Sequence, residues 1–192
     1  MTLQFDPTLT YTKYDDRLAV TTDPRQRHMI EVVRAHSRAE VERSLEGLMA
    51  TLVAEPEYHF WVQGKDMGPK GQVAVRAYYT DFVMSGGAVL ESTLERLVVD
   101  DGAIVQDSYI RNLVPVGVAR RRGYVIPEGV EHVMLTYRNC VLWPFEDGRG
   151  DECLLLGEDS YTPLDLDAWE PVADVDLPRY YLDYLAEIGY SA

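Results

Sequence analysis

Apolar positions recur at helical spacing through the first part of the chain and at strand spacing through most of the remainder. Asp23-Pro24 opens the first firm helix: Asp at the N-cap satisfies an orphan amide and Pro at the first turn presets the backbone. Met29, Val32, Val33 and His36 carry its apolar stripe to about residue 36. Ser37 and Glu40 then match a capping box, which predicts a second helix with Val41, Leu45, Leu48, Met49 and Leu52 on its inner face. Glu55-Pro56 ends it, because the residue before proline is pushed out of the helical region, so 57–63 is a strand entered directly from a helix. Gln72 to Met84 returns to helical spacing and is closed by Ser85-Gly86-Gly87.

Beyond residue 87 the period shortens. Two alternating runs flank Asp100-Asp101-Gly102, a hairpin signal because Asp-Gly suits the positive dihedrals of a tight turn. A Gly/Pro/Arg-rich excursion fills 115–129, and a second long hairpin is expected about Asp147-Gly-Arg-Gly150. The tail, 163–192, is acidic and punctuated by prolines, and it ends in a short helix whose Tyr181, Tyr184, Leu185 and Ile188 form an aromatic face. Such a face calls for docking on the body or on a second subunit. The pattern divides the chain into an N-terminal arm (1–22), a single domain (23–162) and a C-terminal extension (163–192). Helices segregated from long strands imply an α+β fold, a curved antiparallel sheet wrapped around three N-terminal helices.

Composition narrows the function classes. At 192 residues and 46% hydrophobic, the chain can bury one substantial core. Its formal charge of −14 opposes phosphate backbones and anionic membranes, so neither nucleic acid nor membrane is an expected partner. The basic run Arg120-Arg121-Arg122 reads as loop decoration. No charged leader with a cleavage site and no span of ~18 apolar residues is seen, and Cys140 and Cys153 suit free thiols in a reducing cytoplasm. No Gly-rich dinucleotide motif, P-loop, nucleophile elbow or metal-ligand cluster is present, so the expected site works without cofactor or metal.

The element order, with HSRAEVERSLEGLMATLVAEPEYHFWVQG (36–64), the GPKGQVAVRAYYTDF helix and the closing LLLGEDSYTPLD strand, resembles the polyketide-cyclase (SnoaL-like) branch of the nuclear transport factor 2 superfamily over roughly residues 25–162. The resemblance implies a cone-shaped α+β barrel with an apolar cavity under the helices, often assembled as a homodimer or higher homo-oligomer. Its enzymes include ketosteroid isomerase, scytalone dehydratase, limonene epoxide hydrolase, a dehydrochlorinase and a cofactor-free diarylpropane lyase. It also includes binding and subunit proteins, so function has to be argued from the site.

In the first strand Glu57, His59 and Trp61 share one face, and Tyr58, Phe60 and Val62 the other. His59, whose ordinary pKa lies near 6.5, is the expected proton-transfer group, and Tyr58 a donor to a developing oxyanion; a half-exposed strand histidine and plain sheet packing are the ordinary alternatives. Asp107, Tyr109 and Arg111 share a face of 103–113, where Asp107 would orient the histidine and Arg111 would hold negative charge. The opposite parity would present Gln106, Ser108, Ile110 and Asn112 to the cavity, leaving a surface charge ladder outside. Tyr137 and Asn139 share the apolar face of 130–143, one of Glu158 and Asp159 must point inward, and His36 with Trp61 completes the substrate-binding set. These residues suggest a cofactor-independent lyase acting by dehydration or deformylation on a small, mostly apolar, aromatic molecule such as a lignin-derived diarylpropane. An isomerase, a polyketide cyclase, or a ligand-binding or subunit protein with a filled cone are the competing readings.

Overall fold

The computed structural model describes residues 3–62, 64–147, 153–162 and 165–190. In chain order its elements are α1 (Leu9–Thr12), α2 (Asp15–Val20), α3 (Pro24–Val41), α4 (Leu45–Ala50), β1 (Leu52–Val62), β2 (Lys65–Asp66), α5 (Gly71–Met84), β3 (Leu90–Val99), β4 (Ala103–Pro115), α6 (Val116–Arg121), β5 (His132–Asp147), β6 (Cys153–Tyr161), β7 (Trp169–Pro171), a 3₁₀ turn (Asp174–Asp176) and α7 (Arg179–Glu187).

Helix α3 starts as its cap dictates, with the Gln26 N–H donating to Asp23 Oδ1 at 2.9 Å. It does not stop at residue 36. Ser37 is buried and its hydroxyl lies 3.4 Å from the Tyr14 phenol, so it faces inward and is not spent on a cap. The helix runs on to Val41, the chain turns through Arg43 at φ 57°, and Ser44 caps α4 by accepting from the Gly47 N–H at 3.1 Å. With α4 ending at Ala50, Pro56 lies inside β1, where the register between Leu52 and Glu57 is irregular and a missing amide N–H is tolerated.

The sheet order is β2-β1-β6-β5-β4-β3, with β7 added on β5. All pairs are antiparallel except β1 with β6, so the sheet is mixed rather than wholly antiparallel. The β3–β4 hairpin closes through Asp100 N–H donating to Ala103 O at 3.0 Å, without a positive φ at Gly102. Strands β5 and β6 pair antiparallel up to Asp147 opposite Cys153, and the expected turn at 148–150 lies outside the described residues.

Three apolar clusters fix the layers. Met29 and Val33 of α3, Leu48 of α4 and Val75 of α5 pack on Tyr58, Ile104 and Leu155 of the concave sheet face. At one end, Val118 and Ala119 of α6 pack with Tyr124, Ile126 and Val133. On the other side of β5, Met134 meets Tyr181 and Tyr184 of α7, so the aromatic face of the tail helix docks on the body. No helix among the described residues is long and apolar enough to cross a membrane.

Candidate functional site

Between the helices and the concave sheet face lies a cavity of about 710 Å³. Its aromatic wall comes from Phe60, Tyr78, Phe82, Tyr124, Tyr137 and Trp143. Strand pleating decides which polar groups join it: β4 contributes Gln106 and Asn112, β5 contributes Asn139, and β6 contributes Glu158 and Ser160. The N-terminal segment closes one side, with Thr10 and Lys13 from α1 and its C-cap. Glu40, one turn beyond His36 on α3, faces Lys13 and Glu158 across this space.

These three groups share an electrostatic problem. They are enclosed by protein yet partly reached by water through the cavity. Burial pushes Glu158 up to about 8, the charge of Glu40 adds to the rise, and a hydrogen bond from Ser160 opposes it. Burial likewise pushes Glu40 up to about 7, against the pull of the Lys13 ammonium. Lys13 is driven down to about 7 by burial, with Glu40 opposing, and its Nζ donates to Ser92 Oγ at 2.7 Å. Two carboxyls and an amine therefore exchange protons near neutral pH on one side of an aromatic chamber. Nearby, the buried Tyr14 phenol donates to Gln106 Oε1, and desolvation raises it above its usual value, which keeps it a neutral donor.

His36 lies behind the cavity wall. It is fully buried, with Nδ1 2.6 Å from Thr51 Oγ1 and Nε2 2.7 Å from the Tyr79 hydroxyl, which lies 2.9 Å from that of Tyr58. Burial lowers the imidazole to about 3, so it is neutral and structural in this setting. Its ring meets Trp143 edge-on at 5.4 Å, and the Trp143 Nε1–H is buried with no partner among the described residues.

Of the residues expected from sequence, Trp61, Tyr137, Asn139 and Glu158 line the cavity. Tyr58 is inward but sealed, and its phenol is raised well above its usual value by burial. The expected gathering of His59, Asp107 and Arg111 around the pocket is not what the fold produces: the parity of β4 turns Asp107 and Arg111 outward, and His59 is engaged by Asp66 and Lys70. His59 sits at the β1–β2 hairpin, with Nδ1 2.7 Å from Asp66 Oδ2 and 2.9 Å from Lys70 Nζ. Asp107 binds Arg138 on the outer face, Tyr109 lies beneath that guanidinium, and Arg111 pairs with Glu91 and donates to Gln4 O at 3.0 Å. The neutral alternative, Gln106, Ile110 and Asn112, lines the cavity in their place, and Ser108 is buried on that same parity.

Glu40 and Lys13 are not legible as cavity residues in the sequence, for different reasons. Glu40 continues the 29-33-36 stripe, so an acid on an apolar helix face was the available signal, obscured by the capping-box reading. Lys13 lies in a stretch without periodicity and gave none.

No family model matches the chain, and no curated protein matches it significantly. Solved structures do. A protein from Shewanella denitrificans described as a SnoaL-like polyketide cyclase superposes with a TM-score of 0.56 at 11% identity, covering 73% of this chain and 92% of its own. One from Xanthomonas campestris described as a polyketide cyclase gives 0.51 at 12% identity over 75% of this chain and 96% of its own. Bal32a, from a soil-derived mobile gene cassette, gives 0.51 at 16% identity over 75% and 95%. With a mixed curved sheet, helices on its concave face and these neighbours, the chain has the α+β cone of the nuclear transport factor 2-like fold.

Proposed function

We propose that the chain is a cofactor-independent enzyme in which Glu158 and Glu40 transfer protons to and from a small aromatic molecule held in the 710 Å³ cavity. The observation that carries this reading is the pair of cavity carboxyls raised toward neutral pH, to about 8 and about 7, beside Lys13. At pH 7 the pair holds more than one proton and fewer than two, so in the singly ionised form one member removes a proton from carbon next to a carbonyl while the other, still protonated, donates. The Lys13 ammonium and the Gln106 amide, whose oxygen accepts from the Tyr14 phenol, supply positive and hydrogen-bonding surroundings for the oxyanion that forms. If the substrate carries a β-hydroxyl, the protonated carboxyl delivers its proton to that oxygen and water leaves, completing a lyase reaction. In a lignin-derived diarylpropane diol the same base takes the terminal hydroxyl proton, the C–C bond to that carbinol carbon breaks to release formaldehyde, and its electron pair becomes a C=C bond as the benzylic hydroxyl leaves as water with the proton of the other carboxyl.

Ring closure is the second reading, supported by the polyketide cyclases named among the structural neighbours. There the enolate attacks an internal carbonyl in place of expelling a group. An open cavity of this size suits either enzyme better than a filled, non-catalytic cone.

Incubation of the protein in D₂O with a panel of aromatic β-hydroxyketones, diarylpropane diols and linear polyketide mimics, followed by NMR, tests the proposal. The expected result is deuterium entry at carbon together with water or formaldehyde loss, or ring closure. Glu158→Gln should lower the rate by about 10²–10⁴-fold. Turnover of an accepted substrate at the wild-type rate in both Glu158→Gln and Glu40→Gln would remove the carboxyls from the mechanism.

A further inference from the structure

Most arginines of this acidic chain face a carboxylate: Arg25 lies 2.6 Å from Asp147, Arg34 2.7 Å from Asp15 and Arg76 2.6 Å from Glu46. Arg122, at the C-cap of α6 and on the cavity rim, differs, since among the described residues it has no carboxylate within ion-pair distance. Its position is nevertheless built. Nη1 donates to Asn112 Oδ1 at 2.5 Å, and Asn112 is 1% exposed. Both donors of that amide are committed, to Gly87 O at 3.1 Å and Val89 O at 2.8 Å, which leaves Oδ1 to accept from the guanidinium. Nη2 rests over Gly87, where an added Cβ would stand 2.9 Å away. A neutral amide thus orients the guanidinium without cancelling its charge, and most of its donors stay uncommitted. Arg121, beside it on the rim, donates among the described residues only to Ser85 O at 3.4 Å.

We propose that Arg122 is the anion anchor of the cavity and that the ligand is an aromatic carboxylate, its carboxylate held at the rim and its ring extending along Tyr78 and Tyr137 toward Glu40 and Glu158. A carboxylate fits because a guanidinium offers parallel N–H donors to two oxygens. A single negative charge fits because a dianion such as a phosphate ester would meet two cavity carboxyls already short of solvation. The two poles act on the same wall: Arg122 favours and Glu158 opposes ionisation of both Tyr78 and Tyr137. The proposal deepens the acid–base reading and rests on it for the orientation of the ligand, but not for its anionic character.

Titration calorimetry at pH 7 with trans-cinnamate, its isosteric amide cinnamamide, and phenyl phosphate tests it. The wild type should bind cinnamate about tenfold more tightly than cinnamamide, a charge-assisted pair against a neutral one, with phenyl phosphate weaker than cinnamate. Arg122→Gln, a substitution at an exposed side chain, should bring cinnamate to the level of cinnamamide while leaving cinnamamide unchanged. Absence of cinnamate binding, equal affinity for acid and amide, or a preference that survives Arg122→Gln would each overturn the proposal. The readout is equilibrium binding, so a failure here leaves the roles of Glu40 and Glu158 standing, and inactive carboxyl variants leave the anion preference standing.

Discussion

Glu158 takes its proton affinity from its place on β6, turned into a chamber that shields it from bulk water and sets it against Glu40. A carboxyl raised in this way holds its proton in the folded state over a range where the unfolded chain has released it. Stability is therefore fully present below pH about 4.5 and declines as pH rises toward about 8, by at most about 1.4 kcal/mol per pH unit for each carboxyl. Glu158→Gln should melt above the wild type at pH 9 and level with it near pH 4.5, as followed by thermal melts across that range. Equal melting at every pH would mean that the carboxyl is not strained by burial. His36 works in the opposite sense. Its imidazole is lowered from 6.5 to about 3, so the unfolded chain binds the extra proton between those values and stability is lost as pH falls through that window. Tyr79→Phe should cost about 1–3 kcal/mol at pH 7, because it strips a hydrogen-bond partner from both buried His36 and buried Tyr58. Urea unfolding measures that loss, and no change would mean that the Thr51-His36-Tyr79-Tyr58 chain does not stabilise the core.

Among the elements, β1 and β6 bear the geometry that aims Glu158. They run parallel, with Glu57 opposite Gly157 and Tyr58 opposite Glu158. A Cβ on Gly157 would stand 1.6 Å from Glu57 O, inside any allowed contact and against backbone that cannot yield like a flexible side chain. Gly157→Ala should destabilise by about 3 kcal/mol or more and weaken ligand binding, since the strand can relieve the overlap only by shifting Glu158. Gly102, with open space around it and no positive φ, should accept Ala with little change, and calorimetric melts of both variants make the comparison. These elements also show what a sequence exposes. The period-two runs of β3, β4 and β5 announced themselves, and β5 announced its inward face, because Val133, Leu135, Val141 and Trp143 accompany Tyr137 and Asn139. On β4 both faces carry polar residues, so alternation alone could not choose between Asp107 and Gln106. Only the pairing to β5, Gln106 opposite Val141 and Asn112 opposite Leu135, fixes the choice. On α3 a capping pattern competed with a stripe, and tertiary contact with Tyr14 decided for the stripe. Glu40 is thus an acid whose inward position the local capping pattern argues against.

At the scale of the whole molecule, the cone is clasped from outside by its own C-terminal segment. Strand β7 pairs with Val133 to Leu135 of β5, and α7 lays Tyr181 and Tyr184 over Leu113, Met134 and Val89. Tyr181 is fully buried, and its hydroxyl lies 2.9 Å from His132 Nδ1. The clasp covers the side of the sheet opposite the cavity, so its energy belongs to the common fold and not to a separate module. Tyr181→Ala removes a large buried side chain and should cost about 3–5 kcal/mol. For a chain of this length each kcal/mol lowers the melting temperature by about 2–4 °C, so a fall of about 10 °C in one cooperative transition is expected. Differential scanning calorimetry distinguishes the possibilities. A small early transition followed by a main transition at the wild-type temperature would mean that the segment folds on its own and that the cone stands without it. A single lowered transition would mean that the sheet depends on cover from both faces, the helices that enclose the cavity on one side and the tyrosines of α7 on the other.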